Sequence, residues 1–343
     1  MPTLKNTLVV IADCLRADAV PDEFKQGAIY GQAWSCGSAT IPAFASLYTG
    51  LLPHQHGQAT QAHRAGRWHV PVEGVTMLPD RLPEHNALVV TENYFTSWAG
   101  TLVNSRQGGG EGVPYILANK PPEPWLIVYH CMIAHWPYGG KGHEHVHFYK
   151  EADPEGLAQM RDLYRGGVNA LFAAISELED GLQPDASILT ADHGEGFLEH
   201  GFYAHPCDRL FPEMLHVPLV VRDGKRKHTY RAPFTMALFP QLVMAVAGKG
   251  KRVSVTPGEL CYSAGFRDYG AVASIRCADT LVIRSGVAGP MRYDLATDPG
   301  AQNPGHQLGT IVPELHAPVL GPLVTRVDDE QVVLERLEAL GYV

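Results

Sequence analysis

An open α/β sheet, mostly parallel and covered by helices on both faces, is the architecture this sequence predicts. Three observations carry that prediction. Short apolar runs alternate with helical patterns through the first 250 residues, as crossover-connected strands require. Several of these runs stop abruptly at a polar or acidic residue, as Leu8-Val-Val-Ile-Ala-Asp13 and Ala186-Ser-Ile-Leu-Thr-Ala-Asp192 do. Further polar residues gather at or just past the other strand ends, where open α/β sheets form their ligand crevice.

The elements follow in order. Leu8–Ala12 is the first buried strand and ends in Asp13. Thr40-Ile-Pro-Ala-Phe-Ala-Ser-Leu-Tyr-Thr, with Pro42 in the first turn and apolar residues at helical spacing, predicts a helix that stops at Gly50. A helix start offers free amides and the positive end of a dipole, favourable to a phosphate or sulfate. Asn86–Thr91 is a second strand with Asn93 just beyond it. Pro124–His130 is another, running into Cys-Met-Ile-Ala-His135. Residues 139–147 are rich in Gly and His and read as a surface loop. A long helical pattern spans about 153–182, with Leu163, Val168, Leu171 and Ile175 on its apolar face. The Asp192 strand follows, then Val217–Arg222, then a helix over about 235–247. Past residue 250 the texture changes to short strands such as Thr280–Arg284 and a final helix over Glu330–Leu340. The chain therefore divides into a core over 1–250 and a small α+β subdomain over 251–343 that completes the fold.

Composition sets limits on the function. The chain has 343 residues, 45% hydrophobic and 18% charged, enough for one large core. Its net charge of -9 and the lack of any Lys/Arg run speak against nucleic-acid binding by counterion release. An anionic substrate would then need its positive partner from a metal and nearby histidines. Thr7–Ala12 is too short to span a membrane, and the N-terminus lacks the apolar core of a secretory signal, so a soluble, cytoplasmic protein is expected. The six cysteines show no CxxC spacing and are expected to be reduced. Oligomeric state is left open; a homo-oligomer is compatible.

The chemistry converges on few residues. Asp13, Asp192 and His193 can bind one divalent cation, and Thr40 can complete the shell through its hydroxyl. A metal-activated hydroxyl is a nucleophile at neutral pH. His193 among the donors favours zinc or manganese over calcium, although calcium stays open. His130, at a strand end, fits either a satisfied core residue or a site residue. His54 and His56 fit a structural role in the turn after the Thr40 helix. Cys14 fits a small buried filler beside Asp13.

These residues carry a resemblance to the sulfatase branch of the alkaline phosphatase superfamily. Val9-Val-Ile-Ala-Asp13 is similar to that family's opening strand and metal aspartate. Thr40-Ile-Pro-Ala-Phe44 through Gly50, then Leu-Leu-Pro-His-Gln-His-Gly57, resembles its nucleophile helix and following turn. His130-Cys-Met-Ile-Ala-His135-Trp-Pro-Tyr resembles its substrate-histidine segment. Thr190-Ala-Asp-His-Gly-Glu195, with His205 and His216-Val-Pro-Leu beyond, resembles the second metal motif. The resemblance implies an alkaline-phosphatase-like α/β/α sandwich. It also implies that His135 and His205 contact the transferred group, with Asn93 near the substrate.

Two departures shape the expected function. Sulfatases of this family place Cys or Ser where Thr40 stands, for oxidation to formylglycine, and Arg where Phe44 stands. Threonine cannot become that aldehyde. Relatives with a threonine nucleophile act on phosphodiesters, phosphonates and phosphoethanolamine head groups. Cys14 also replaces a second metal aspartate. The expectation is a metal-dependent hydrolase of small anionic esters, phosphodiesters or phosphonate esters first, through a Thr40 intermediate. The alternatives are a sulfatase without formylglycine, a phospho-group transferase and an inactive metal-binding module. One metal ion is expected. A second has no clear motif, although histidines 143, 145, 147 and 200 are unassigned.

Overall fold

The computed structural model describes residues 3–58, 67–69, 74–103, 109–138, 154–224, 227–250, 253, 260–267, 270–284, 290–305 and 325–327. The histidines at 143, 145 and 147 and the final helix expected over 330–340 lie outside them.

An eight-stranded sheet forms the centre. Its order is His228–Tyr230, Ala28–Tyr30, Leu219–Arg222, Ala186–Ala191, Thr7–Ala12, Trp125–Cys131, Asn86–Thr91 and Thr101–Leu102. Thr7–Ala12 lies parallel to both neighbours, and Asn86–Thr91 parallel to Trp125–Cys131, while Leu219–Arg222 runs antiparallel. Every residue of Thr7–Ala12, Trp125–Cys131 and Ala186–Ala191 is buried. That explains why these strands read as unbroken apolar runs instead of alternating ones: helices cover both faces.

The helices expected within the described residues are present with small shifts. Pro154–Leu182 buries Met160, Tyr164, Val168, Leu171, Ile175 and Leu178, a stripe at helical spacing that lies on the core. No helix among the described residues is long and apolar enough to cross a membrane. The expected helix over 235–247 is a 3-10 turn, Met236–Leu238, followed by Phe239–Val246. The helix Thr40–Thr49 is buried along all ten residues and ends at Gly50, whose φ of 74° closes the last turn by bonding back to Ser46. His56 shapes the next turn, bonding Ser46 Oγ at 2.9 Å and the Gln58 amide at 3.1 Å.

Leu260–Arg267, Gly270–Cys277, Thr280–Arg284 and Met291–Asp294 form a four-stranded antiparallel sheet near the C-terminus. Its apolar face shares a core with Trp34, Leu210, Met214 and Leu215. Ser263 Oγ donates to the Ser35 carbonyl at 2.6 Å and the Ala264 amide to the Cys36 carbonyl at 2.9 Å. The segment that leads into Thr40 is therefore clamped between the two sheets.

His200 ties the same region together. Its Nδ1 donates to Glu213 Oε1 at 2.7 Å and its Nε2 to the Ala301 carbonyl at 2.9 Å, with the ring stacked on Phe211. Two acceptors on one ring select the imidazolium. Burial works against that charge, but Glu213 outweighs it and raises the pKa of His200. A raised pKa stabilises the fold fully below the unfolded value near 6.5, and that gain is lost as pH climbs through the folded value. Urea midpoints of the wild type and of His200→Gln are expected to differ most below pH ~6.5 and to converge only as pH passes the raised folded value. A difference independent of pH would contradict the charge assignment.

Candidate active site and metal centre

Strand register builds the site. Ala12 pairs with Ala191 on one side and Cys131 on the other, so Asp13 and Asp192 leave the sheet at the same level from adjacent strands. His130 pairs with Ile11 and Thr91, just inside that edge. The helix beginning at Thr40 meets the same edge. Ala39 occupies its N-cap position, and Thr40 is the first helical residue. The Thr40 hydroxyl is thus not used as a cap.

The donor atoms face one another in a buried cluster. Thr40 Oγ1 lies 3.3 Å from Asp13 Oδ2 and 3.3 Å from His193 Nε2. His193 Nε2 lies 3.6 Å from Asp13 Oδ1 and 3.5 Å from Asp192 Oδ2. Its Nδ1 donates to the Gly194 carbonyl at 2.8 Å, which fixes the tautomer with the Nε2 lone pair toward the cluster. Asn93 comes in from a third strand end. Its Nδ2 donates to Asp13 Oδ2 at 2.9 Å, and its Oδ1 accepts from the Phe95 amide. Burial opposes the charge on Asp13, yet the imidazoles of His135, His130 and His193 hold its pKa well below the usual carboxylate range.

His135 and His205 stand beside this cluster, ring centroids 5.1 Å apart, with His205 4.6 Å from His193. Their environments separate them. Burial holds His135 below its ordinary value, against the pull of Asp13 and with help from His205. Its Nδ1 donates to the Trp136 carbonyl at 2.7 Å. Burial also opposes charge on His205, but Glu195, with Oε1 3.3 Å from Nδ1, overrides it and raises the pKa. Two neighbouring imidazoles pushed in opposite directions make a ready acid and base pair. All seven residues expected from the sequence are brought to one place.

The sulfatase family profile matches residues 110–248 of the chain. A 2-O GAG sulfatase structure superposes with a TM-score of 0.71 at 16% identity, covering 88% of this chain and 87% of that one. The phosphonate monoester hydrolase of Agrobacterium radiobacter superposes with a TM-score of 0.64 at 15% identity, covering 88% and 91%. The fold is thus shared with sulfatases and phosphonate monoester hydrolases, and the middle of the chain matches the sulfatase family. Its similarity to a low-salt glycan biosynthesis sulfotransferase of Haloferax volcanii is 24% identity over 241 residues, 63% of this chain and 53% of the relative. The chain thus spans about half the length of that curated relative.

The site has features of its own. Phe44, standing where the resemblance would place arginine, stacks on Tyr48 at 5.3 Å and lies 4.5 Å from the His130 ring. Cys14, held at φ 64°, donates its thiol to Asp13 Oδ1 at 3.2 Å. Burial and the nearby Glu195, Asp13 and Asp192 raise the thiol's pKa well above its ordinary value. Arg16 bonds the Glu195 carbonyl and pairs with Glu199 and Asp18.

Sequence reasoning assigned no role to two carboxylates that organise the site. Glu195 lies two residues after His193, inside the motif itself, and its partner is visible only once His205 folds back. Glu92 ends the Asn86–Thr91 strand as Asp13 ends its own. Its Oε1 accepts from the Gly110 and Gly112 amides and Tyr129 Oη, each at 2.8 Å, and its Oε2 from the Met132 amide at 2.9 Å. It anchors the segment that carries His135. An acid at a strand end was the available signal.

The residues fit a divalent metal. Asp192 Oδ2 is fully buried and makes no hydrogen bond, although buried carboxylate oxygens nearly always find a donor. Four donor spacings of 3.3–3.6 Å are of the length that two ligands each about 2.0–2.1 Å from one ion keep between them, roughly 3.3 Å. Asp13, Asp192, His193 and Thr40 are the residues that would hold it.

Proposed function

We propose that this chain hydrolyses small phosphate esters, phosphodiesters and phosphonate esters ahead of monoesters, with Thr40 as nucleophile. The observation that carries the reading is the Thr40 hydroxyl, buried and free of capping duty, 3.3 Å from both Asp13 Oδ2 and His193 Nε2. A divalent cation, when bound, supplies acidification of an oxygen nucleophile and compensation of charge on the transferred group.

The protein's own groups account for the protons. Thr40 already donates to Asp13 Oδ2, so its proton has an acceptor in place as Oγ1 bonds to phosphorus. The bond from phosphorus to the leaving oxygen breaks, and that oxygen takes a proton from His205. Water then attacks phosphorus and gives its proton to His135, whose Nδ1 is committed to Trp136 and whose Nε2 is the basic atom. The Thr40–phosphorus bond breaks, Thr40 recovers its proton from Asp13, and His135 returns one to His205. The helix N-terminus at Thr40 favours the anionic group throughout.

A second reading is transfer to an acceptor alcohol, favoured by the name sulfotransferase borne by the Haloferax relative. The test is a panel of aryl phosphate, phosphodiester, phosphonate ester and aryl sulfate, each with and without added alcohol. Turnover of the phosphorus diesters in water is expected. Preferential turnover of the sulfate would overturn the assignment to phosphorus, and product appearing only with alcohol would favour transfer. A metal contributes several kcal/mol to the transition state, so exhaustive chelation is expected to lower turnover by about 100-fold or more. Zinc or manganese should restore it, and calcium should not.

A further inference from the structure

His130 is the one histidine of the cluster whose placement no step above uses. Its side chain is buried at 1% exposure. On one edge, Nδ1 lies 2.9 Å from Thr96 Oγ1 and 3.3 Å from Thr91 Oγ1. The Thr96 hydroxyl in turn donates to the Asn93 carbonyl at 3.0 Å, leaving its oxygen to accept the Nδ1 proton. On the other edge, Nε2 faces Asp13 Oδ2 at 3.4 Å and Asp192 Oδ2 at 3.7 Å. Those separations are too long for good hydrogen bonds. His130 Nε2 and Asp192 Oδ2 are both buried without a hydrogen-bond partner, although they point at each other. Two mutually facing buried polar atoms without a hydrogen bond are costly unless the imidazole carries a charge or a third atom lies between them. Phe44 packs on the ring and keeps it from turning away.

We propose that His130 is a metal ligand, completing with Asp13, Asp192 and His193 a site of two carboxylates and two imidazoles. The inference rests on the metal centre described above. An Nδ1–H fixed by a hydroxyl oxygen is the arrangement that metal-bound histidines use on their outer edge. The assignment gives the ion four permanent protein ligands and leaves Thr40 as the exchangeable fifth, consistent with zinc sites that expand during reaction. Two imidazoles favour zinc or manganese and disfavour calcium.

X-ray absorption of the zinc-loaded wild type counts imidazoles directly and needs no variant. Two in the zinc shell are expected; one would overturn the proposal. Zinc affinity, measured by competition with a chromophoric chelator, is expected to fall more than ~100-fold in His130→Gln, beyond the loss usual for an outer-shell partner. A loss below ~10-fold would also overturn it. Asp192→Asn separates the two ideas. If it keeps zinc at wild-type affinity, the metal centre itself is wrong. If it loses zinc while the wild type shows one imidazole, the centre stands and only the His130 assignment fails.

Discussion

Thr40→Ala is expected to lower turnover by roughly 10⁴-fold or more while the protein still binds zinc. The magnitude follows from the role: removing an attacking atom leaves only binding and charge stabilisation to speed the reaction. The substitution deletes one hydroxyl from the first turn of a buried helix and leaves Asp13, Asp192 and His193 in place. Because Thr40 does not cap its helix, little stability should be lost with it. Thr40→Ser keeps the oxygen and should retain most of the activity. Acid-quenched wild type should carry the transferred group on Thr40, seen by mass spectrometry of the peptide spanning 39–50. Unchanged turnover in Thr40→Ala would sink the nucleophile assignment whatever the substrate.

Gly194→Ala is the second large effect, and it arises from space, not from backbone conformation. A Cβ on Gly194 would fall on the Glu213 carbonyl oxygen and come within 3.1 Å of the Glu213 carbonyl carbon. The Gly194 amide bonds the Met214 carbonyl at 2.8 Å, so the two main chains are already in contact. The obstacle is backbone, which cannot swing aside as a flexible side chain could. Overpacking of this kind costs about 3 kcal/mol or more. The displaced loop carries His193, whose Nδ1 bonds the Gly194 carbonyl itself. A melting point lowered by several degrees and a weakened zinc affinity should therefore appear together. A variant with wild-type melting and zinc binding would show that the contact can relax.

The strand ends were legible because burial on both faces leaves a plain mark in the chain. A fully apolar run must stop where it meets the crevice, and Asp13 and Asp192 are where two such runs stop. Thr40 was legible through Pro42 and the helical spacing behind it. Cys14 was read as a small buried neighbour of Asp13, and the structure adds that its thiol bonds that carboxylate. Asn93 was expected beside the substrate; its amide is turned onto Asp13, which makes it a support of that carboxylate in the present geometry.

His130 and Glu195 were the residues that resisted reading. A histidine at a strand end looks the same whether its ring is satisfied or aimed at two carboxylates. What separates the cases is the pairing of Thr91 with His130 and the approach of Thr96, neither of which has a sequence spacing to announce it. Glu195 was in view inside the motif, but its effect on His205 depends on a loop that returns ten residues later.

Residue type and local pattern alone point to the class of fold and to Asp13, Asp192 and Thr40 as candidates, whereas the expectation against formylglycine chemistry comes from the family resemblance. Tertiary structure alone decided which atoms face one another. Parallel pairing of Thr7–Ala12 with strands more than a hundred residues away sets Asp13 level with Asp192 and brings His130 beneath them. Local pattern cannot encode that register, because side chains far apart in the chain meet only after the buried strands have chosen their partners.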